Sequence, residues 1–238
     1  MPETPRADKD DWSSLYGGLR IQLETLHLWE AAGETLGGWK VGMTSGKNRD
    51  KMGKGFRPFG YVLSSRILTS GSSLARNRIQ TCQVEPELCL VVGAPLGGAN
   101  LKVEEVRNAI SAVAPAFEIN ELRRFGAETP PSISIAEDLS NWGIAVGEGV
   151  PVSDVDLTQT EVIVTKDDVV MASTIPGSGM DNPFLSIIRL CEVLSRYGLS
   201  LQPGQKVITG AFSHHPVTEI GTWRANFQGI GIVDLAFN

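Results

Sequence analysis

The chain has 238 residues, 42% hydrophobic and 20% charged, which allows a sizeable core and argues against global disorder. Lys and Arg number 21 against 27 Asp and Glu, a net charge of −6 with no basic cluster, so a general nucleic-acid binder is not expected. No apolar run reaches the roughly 20 residues of a membrane span. Residues 1–11 are polar and lack a signal peptide's apolar stretch. Cys82, Cys89 and Cys191 include no C-x-x-C pair and no disulfide framework, and they sit in apolar runs that suggest core positions. The expectation is a soluble cytoplasmic protein with neither nucleic acid nor membrane as partner. The 26 glycines and 13 prolines predict many turns and a β-rich chain.

Residues 1–11 read as a frayed terminus. Over 12–32, Leu15, Leu19, Leu23, Leu26 and Trp29 recur at helical steps, and Gly33 with the pair Gly37-Gly38 is expected to end that helix. Residues 39–45 read as a short strand running into a loop. Residues 46–58, rich in Lys, Arg and Gly, read as a mobile surface segment. Strands are predicted over 59–68 and 78–92. Val103, Val106, Ile110 and Val113 predict a helix over 103–114 that Pro115 stops, with a strand resuming at 116–121. Residues 128–134 read as a loop.

Further strands are predicted over 143–150, 161–166 and 169–174, the last two joined at Asp167-Asp168. Residues 181–198 predict the strongest helix, with Asp181 or Asn182 as cap, Pro183 in the first turn and Gly198 at the end. Its apolar stripe is Phe184, Leu185, Ile187, Ile188, Cys191 and Leu194. A turn over 202–205 leads to a strand at 206–209, and 223–227 with 229–237 predicts a closing hairpin. Two main helices among many short strands predict an α+β fold with a β-rich core.

Common chemistry-bearing motifs are missing. No G-x-G-x-x-G opens a helix, and neither a G-x-S-x-G elbow nor an H-E-x-x-H is found. GMTSGK at 42–47 has the wrong glycine spacing for a phosphate loop, and Asn48 stands where Ser or Thr would bind the cation.

The carboxylates of QVEPELCLVV (83–92) are more informative. Glu85 and Glu87 lie two residues apart on a strand, so both point to one face, along with Cys89 and Val91. Two acids on a partly apolar face repel each other and lose hydration, which calls for protonation or a cation. Pro86 between them cannot donate to a ladder, which favours an edge or a bulge. Glu118, flanked by Phe117 and Ile119, offers a third carboxylate; three such oxygens with open positions suit Mg²⁺ or Mn²⁺. The competing reading is an edge strand whose acids face water. Lys40, between Trp39 and Val41, reads either as a proton-transfer lysine in apolar surroundings or as one whose head reaches water. His214 and His215 follow a Gly-containing turn and read either as loop histidines or as a substrate contact.

Taken in order, the stretches GWKVGMTS (38–45), FGYV (59–62), QVEPELCLVV (83–92), AFEINELR (116–123), DLSNWGIAVG (138–147), 179–211 and FQGIGIVDLAF (227–237) resemble the hydratase/decarboxylase branch of the fumarylacetoacetate hydrolase superfamily, the 2-keto-4-pentenoate hydratase-like proteins. The resemblance implies a mixed β-roll core. Residues 61–238 would form this metal-binding core, with residues 1–60 as a smaller helical and loop region packed on it. It also implies a divalent cation, usually Mg²⁺, a 2-oxo or 2-hydroxy-dienoic acid substrate, and a homo-oligomer. Carried onto matching positions, Glu85, Glu87 and Glu118 would hold the metal, and Lys40 would be the active-site lysine. Thr209 and Gly210 would line the substrate pocket, and Arg57 and His214 would contact substrate. Two positions depart from the family pattern: Pro58 stands where an acidic residue often precedes Phe-Gly, and Asn141 replaces a family serine at a proposed catalytic position.

The resemblance implies a hydratase of a 2-hydroxy-2,4-dienoate, in the catabolism of aromatic or related compounds, in which the cation stabilises an enolate and Lys40 shuttles the proton. A 2-oxo-3-enedioate decarboxylase on the same scaffold would need a second cation or donor for the distal carboxylate, for which Arg57, Arg123 or Arg124 could serve. A C–C hydrolase of an acylpyruvate, or a binding module that keeps the metal but has lost turnover, are further alternatives.

Overall fold

The computed structural model describes residues 14–122, 129–177 and 179–238. The frayed terminus, Trp12, Arg123 and Arg124 lie outside the described residues. In chain order the helices are α1 (Leu15–Ala31), α2 (Val103–Ala109), α3 (Pro131–Ala136) and α4 (Pro183–Ser195). The first seven strands are β1 (Leu36–Val41), β2 (Phe59–Leu63), β3 (Ile67–Thr69), β4 (Ser72–Leu74), β5 (Cys82–Val92), β6 (Ile110–Glu121) and β7 (Asn141–Val146). They are followed by β8 (Val150–Pro151), β9 (Val162–Lys166), β10 (Val169–Thr174), β11 (Lys206–Ala211), β12 (His215–Pro216), β13 (Gly221–Phe227) and β14 (Gly231–Phe237). Among the described residues, no helix is long and apolar enough to cross a membrane.

Both main helices form where the apolar spacing places them. Ser14 accepts a hydrogen bond from Gly17 N at the start of α1, and Leu19, Leu23 and Leu26 are buried. Asn182 accepts from Phe184 N at the start of α4, Pro183 opens it, and Gly198 follows it with φ 71°. Leu185, placed in the apolar stripe by spacing, is instead exposed, and Leu190 is buried in the core.

Other elements depart from the local reading. Gly37 and Gly38 do not end α1; they lie inside β1, which runs parallel to β11 with Gly38 opposite Lys206. A Cβ on Gly38 would sit 2.0 Å from the Lys206 carbonyl oxygen, so the glycine is there for the close approach of two backbones. Residues 59–68 divide into β2 and β3 around a 3-10 turn, because the chain leaves one sheet edge and returns at the other. Residues 128–134 contain the start of α3 rather than only loop. Residues 143–150 belong to two strands, β7 and β8, not one.

The predicted helix over 103–114 ends at Ala109, and β6 begins at once, with Pro115 inside it opposite Leu88. β6 is buried on both faces from Val113 to Asn120, so its apolar residues follow no period of two, and its first residues extended the helical spacing by coincidence. Residues 46–58 are anchored, not a loose surface segment: Arg57 is 2% exposed and its Nε donates to Asp181 at 2.5 Å, while its Nη1 reaches Asp50 at 2.8 Å.

Two sheets result. A nine-stranded sheet has the order β2-β1-β11-β5-β6-β7-β3, with β12 paired to β5 and β8 to β6. A five-stranded sheet has the order β10-β9-β13-β14-β4. β13 and β14 alternate buried and exposed residues, and Trp223, Ala225, Phe227, Val233, Leu235 and Phe237 pack inward. They join Leu88, Leu90, Phe117 and Ile119 of β5 and β6 in the main core, together with the buried faces of α1 and α4. The opposite face of β5 and β6 carries a second cluster of smaller side chains: Val62, Cys89, Ala114, Ala116, Ile144, Val146 and Ile208. All three cysteines are buried and unpaired, as their apolar settings predicted. Within the described part of the expected N-terminal region, β1 and the start of β2 are strands of the larger sheet, and β2 runs across residue 60.

Substituting Gly38→Ala is expected to destabilise the fold by at least about 1–3 kcal/mol, the usual range for overpacking, because the clash is with backbone. Urea denaturation would measure it, and wild-type stability would contradict the proposed β1–β11 approach.

Candidate metal and active site

β5 is an interior strand, paired with β11 on one side and β6 on the other, so the reading of its acids as a solvent-facing edge fails. Its antiparallel register with β6 sets Glu85 directly opposite Glu118 and Glu87 opposite Ala116. Glu85 and Glu87 alternate with Pro86 and so share a face, as Glu118 does with Asn120. This is the face of the small-residue cluster, whose apolar side chains fill it until the acids take over. Oxygens of Glu85, Glu87 and Glu118 all lie within 4.8 Å of one another, and all three side chains are buried.

The bulge expected at Pro86 lies in the neighbouring strand. β11 shifts register against β5 between Ile208 and Ala211, and Gly210 adopts φ 135° there. This turns the Gly210 N–H onto Glu87 Oε2 at 2.7 Å. A Cβ on Gly210 would lie 2.2 Å from Thr44 Oγ1, so a glycine is required for Thr44 to close over the site.

Lys40 comes from β1 and is 7% exposed; its ammonium pairs with Glu118 and donates to the Leu139 carbonyl at 3.3 Å. Burial pulls its pKa down, but the charges of Glu118, Glu85 and Glu87 push it further the other way, and the net direction is up. Burial and the neighbouring acids hold the Glu87 carboxyl well above the usual carboxylate range. Burial and Glu85 likewise raise Glu118 despite Lys40. Glu85 is lowered: burial opposes ionisation, but the hydrogen bond and charge of His214, whose Nδ1 lies 3.0 Å from Glu85 Oε1, prevail. His214 rises in return, chiefly through that hydrogen bond. Its neighbour His215 is buried against Trp223 beside Ser213 Oγ and lies outside the cavity lining; burial lowers its pKa.

A cavity of about 150 Å³ opens over these groups. Val41, Met43, Leu122 and Leu139 give it apolar walls; Thr44, Ser45, Asn48, Asn120 and Ser140 add polar ones. Lys40, Gly210 and His214 line it with the three glutamates. Asn141 and Thr209 do not: Asn141 Nδ2 donates to Tyr61 O at 2.8 Å, and Thr209 Oγ1 donates to Leu88 O at 3.4 Å. Arg57 is also outside the lining, its guanidinium held by Asp181 and Asp50. Asp181 N in turn donates to Thr44 O at 2.9 Å, so Arg57 braces the wall that Thr44 forms.

Several contributors were not singled out from sequence. Asn120 was discoverable, since it shares the face of Glu118 two residues on. Asp138, Leu139 and Ser140 were not, because nothing local announces three successive non-glycine residues at φ 54°, 52° and 66°. Such a left-handed turn costs about 1–2 kcal/mol per residue and persists only where its surroundings hold it.

The donor set fits a divalent cation. Two ligands of one oxygen-bound dication stand up to about 4–5 Å apart, the span observed here. Asn120 Oδ1 is buried with no hydrogen-bond partner, and three buried carboxylates exceed the single ammonium that faces them. Glu85, Glu87 and Glu118 are the residues that would hold the ion.

No family model matches the sequence. Among curated proteins, 2-oxo-hept-4-ene-1,7-dioate hydratase of Escherichia coli is 26% identical over 226 residues, covering 91% of this chain and 84% of the relative. Other relatives are named 2-keto-4-pentenoate hydratase and 4-oxalocrotonate decarboxylase. Among solved structures, 4-oxalocrotonate decarboxylase from Pseudomonas putida G7, complexed with magnesium and adipate, superposes with a TM-score of 0.88 at 23% identity, over 97% of this chain and 89% of that one. Fumarylpyruvate hydrolase from Pseudomonas aeruginosa, in complex with Mn²⁺ and pyruvate, gives 0.60 at 15% identity, over 84% and 88%. The fold is therefore the one shared with these solved structures, which include a putative fumarylacetoacetate hydrolase family protein from Yersinia pestis CO92 (TM-score 0.62 at 16% identity, over 84% of this chain and 92% of that one), and it is sheet-dominated α+β as expected. The sequence relatives are hydratases and decarboxylases, which agrees with the resemblance read from the motifs.

Glu85→Gln removes one charged ligand and is expected to weaken Mg²⁺ binding by at least about tenfold while the protein stays folded, as calorimetric titration would show. Unchanged affinity would remove Glu85 from the ligand set. A pH dependence also follows. Glu87 and Glu118 bind protons more tightly folded than unfolded, so the metal-free chain loses stability as pH rises from the ordinary carboxylate pKa of about 4.3 through their raised folded values. Glu85 acts oppositely, its contribution being lost only as pH falls through its lowered value. Melting temperatures with and without Mg²⁺ should therefore diverge with increasing pH; a constant gap would contradict this charge assignment.

Proposed function

We propose that the chain is a divalent-metal-dependent hydratase of a 2-hydroxy-2,4-dienoate in the catabolism of aromatic or related compounds. It would act in the cytoplasm as a homo-oligomer with Mg²⁺ or Mn²⁺. The observation that carries the reading is one cavity in which three buried carboxylates converge beside a buried lysine. When bound, the cation would supply positive charge to a 2-oxo acid's carboxylate and adjacent carbonyl oxygen.

The chain's own residues do the rest. Glu85, Glu87 and Glu118 bind the ion, and Glu87 is oriented by the Gly210 N–H. Lys40 is the one described lysine in the cavity lining, which supports reading its Nζ as the proton-transfer group. Glu118 and the Leu139 carbonyl both hold that nitrogen, so it meets substrate from a fixed direction. Hydration requires the 2-hydroxyl to lose a proton and C5 to gain one, giving the 2-oxo-3-enoate; water then adds across C3=C4, its hydroxyl to C4 and its proton to C3, to give a 4-hydroxy-2-oxo acid. Val41, Met43, Leu122 and Leu139 suit the hydrocarbon part of the substrate and restrict access of bulk water. Half-exposed His214 stands at the polar side, where it can donate to a substrate oxygen.

The decarboxylase alternative needs a donor for a distal carboxylate. Among the described residues the lining cations are Lys40 and His214, both beside the acidic cluster. Of the three arginines that could serve, Arg57 is engaged with Asp181 and Asp50, while Arg123 and Arg124 lie outside the described residues.

Ultraviolet assay of 2-hydroxy-2,4-dienoates with Mg²⁺, with products identified by mass, should show addition of one water and loss of turnover in EDTA. Release of CO₂ from 2-oxo-3-enedioates would instead support decarboxylation. Lys40→Ala should lower kcat by about 10²–10⁴-fold, the usual contribution of a positioned proton-transfer group, with Mg²⁺ affinity retained. Wild-type turnover in that variant would exclude Lys40 from the chemistry.

A further inference from the structure

The left-handed turn Asp138-Leu139-Ser140 forms part of the cavity wall, through Leu139 and Ser140. β2 is a terminal strand of the larger sheet, and its outward-facing Tyr61 backbone is satisfied by two side chains from this segment. Tyr61 N donates to Asp138 Oδ1 at 2.8 Å, and Asn141 Nδ2 donates to Tyr61 O at 2.8 Å. The two flanking residues thus clamp the turn to one residue of β2. The neighbouring residue Gly60 pairs with Lys40 across β1 and β2. A Cβ on Gly60 would lie 2.6 Å from Lys40 Cγ and 2.8 Å from Asp138 Oδ1, so lysine stem and carboxyl both pack over the same bare backbone. Leu139 adds a second anchor, its Cδ1 lying 2.6 Å from where a Cβ on Gly42 would be. Between these anchors the Leu139 carbonyl points at Lys40 Nζ.

We propose that Asp138 is a positioning residue for Lys40: with Asn141 it clamps the turn on the edge of β2, so that the Leu139 carbonyl holds the lysine ammonium in place on the cavity wall. The inference rests on the hydratase reading for its kinetic consequence, but not for its geometry. Asp138 neither lines the cavity nor belongs to the acidic cluster, so its effect passes through the turn. The hydrogen bond to Tyr61 N requires only an acceptor oxygen. An amide of the same shape keeps it, and a methyl group does not.

The test compares Asp138→Ala, Asp138→Asn and Asn141→Ala in the full-length protein by steady-state kinetics on a 2-hydroxy-2,4-dienoate, Mg²⁺ titration and crystal structures. Asp138→Ala is expected to lower kcat by up to about 10²-fold, the loss associated with a misplacement near 1 Å, while KM and Mg²⁺ affinity change little. Asp138→Asn should recover most of the lost rate. Asn141→Ala should show a smaller fall in kcat in the same direction, and it carries the test if Asp138→Ala does not fold. Equal impairment of the Ala and Asn variants at position 138 would overturn the proposal, because the charge and not the clamp would then matter. So would a crystal structure of a clamp variant, Asp138→Ala or, if that does not fold, Asn141→Ala, in which the Lys40 Nζ to Leu139 O contact is unchanged. Absence of turnover in the wild-type protein would count against the hydratase reading instead, and the position of Lys40 in the variant structures would still decide the clamp.

Discussion

Three carboxylates forced onto one buried face set the terms for the rest of this molecule. Burial costs them hydration and sets them against one another, and Lys40 and His214 offset only part of the charge. The raised pKa values of Glu87 and Glu118 express that imbalance, as does the hold of the acids on Lys40. A hard dication among the oxygens is the arrangement that removes the imbalance while leaving room for a ligand. The acids thus work against the metal-free fold, and they are the groups that would hold a cation.

A large part of the structure serves to hold that cluster. Burial of big side chains between the two sheets fixes β5 and β6, and their register sets Glu85 against Glu118. Small side chains on the other face leave space for the acids. The bulge at Gly210 aims a backbone N–H at Glu87, and the buried Arg57–Asp181 pair braces the loop that carries Thr44. Across the cavity, the turn at 138–140 supplies the carbonyl that meets Lys40. Each of these devices restricts where an atom of the acidic cluster or of Lys40 can be.

The legible parts of the sequence were those whose signal is local. The steps of the leucines gave α1, the cap and proline gave the start of α4, and Asp167-Asp168 gave the β9–β10 hairpin. The two-residue spacing of Glu85 and Glu87 correctly put them on one face, and the resemblance grouped them with Glu118, whose place opposite Glu85 came from the strand register. Local signals misled where burial is two-sided or contacts are distant. β6 has no alternation to read, so its first residues passed for helix. Gly37 and Gly38 looked like helix terminators because their partner, β11, lies far along the chain. Arg57 looked like a surface cation because Asp181 is 124 residues away.

By itself, then, the sequence determined which groups were available: three glutamates, one lysine among apolar neighbours, and strands and helices with recognisable periods. Pattern carries that information because side-chain direction follows from backbone geometry over a few residues. Only the tertiary structure decided that β5 is interior rather than an edge. The same holds for the oxygens meeting within one ion's reach, and for Asn141 and Thr209 facing backbone while Asp138 holds a strained turn. Those outcomes depend on sheet order, register and long-range hydrogen bonds, which arise from the packing of segments distant in sequence and leave no periodic trace in any one of them.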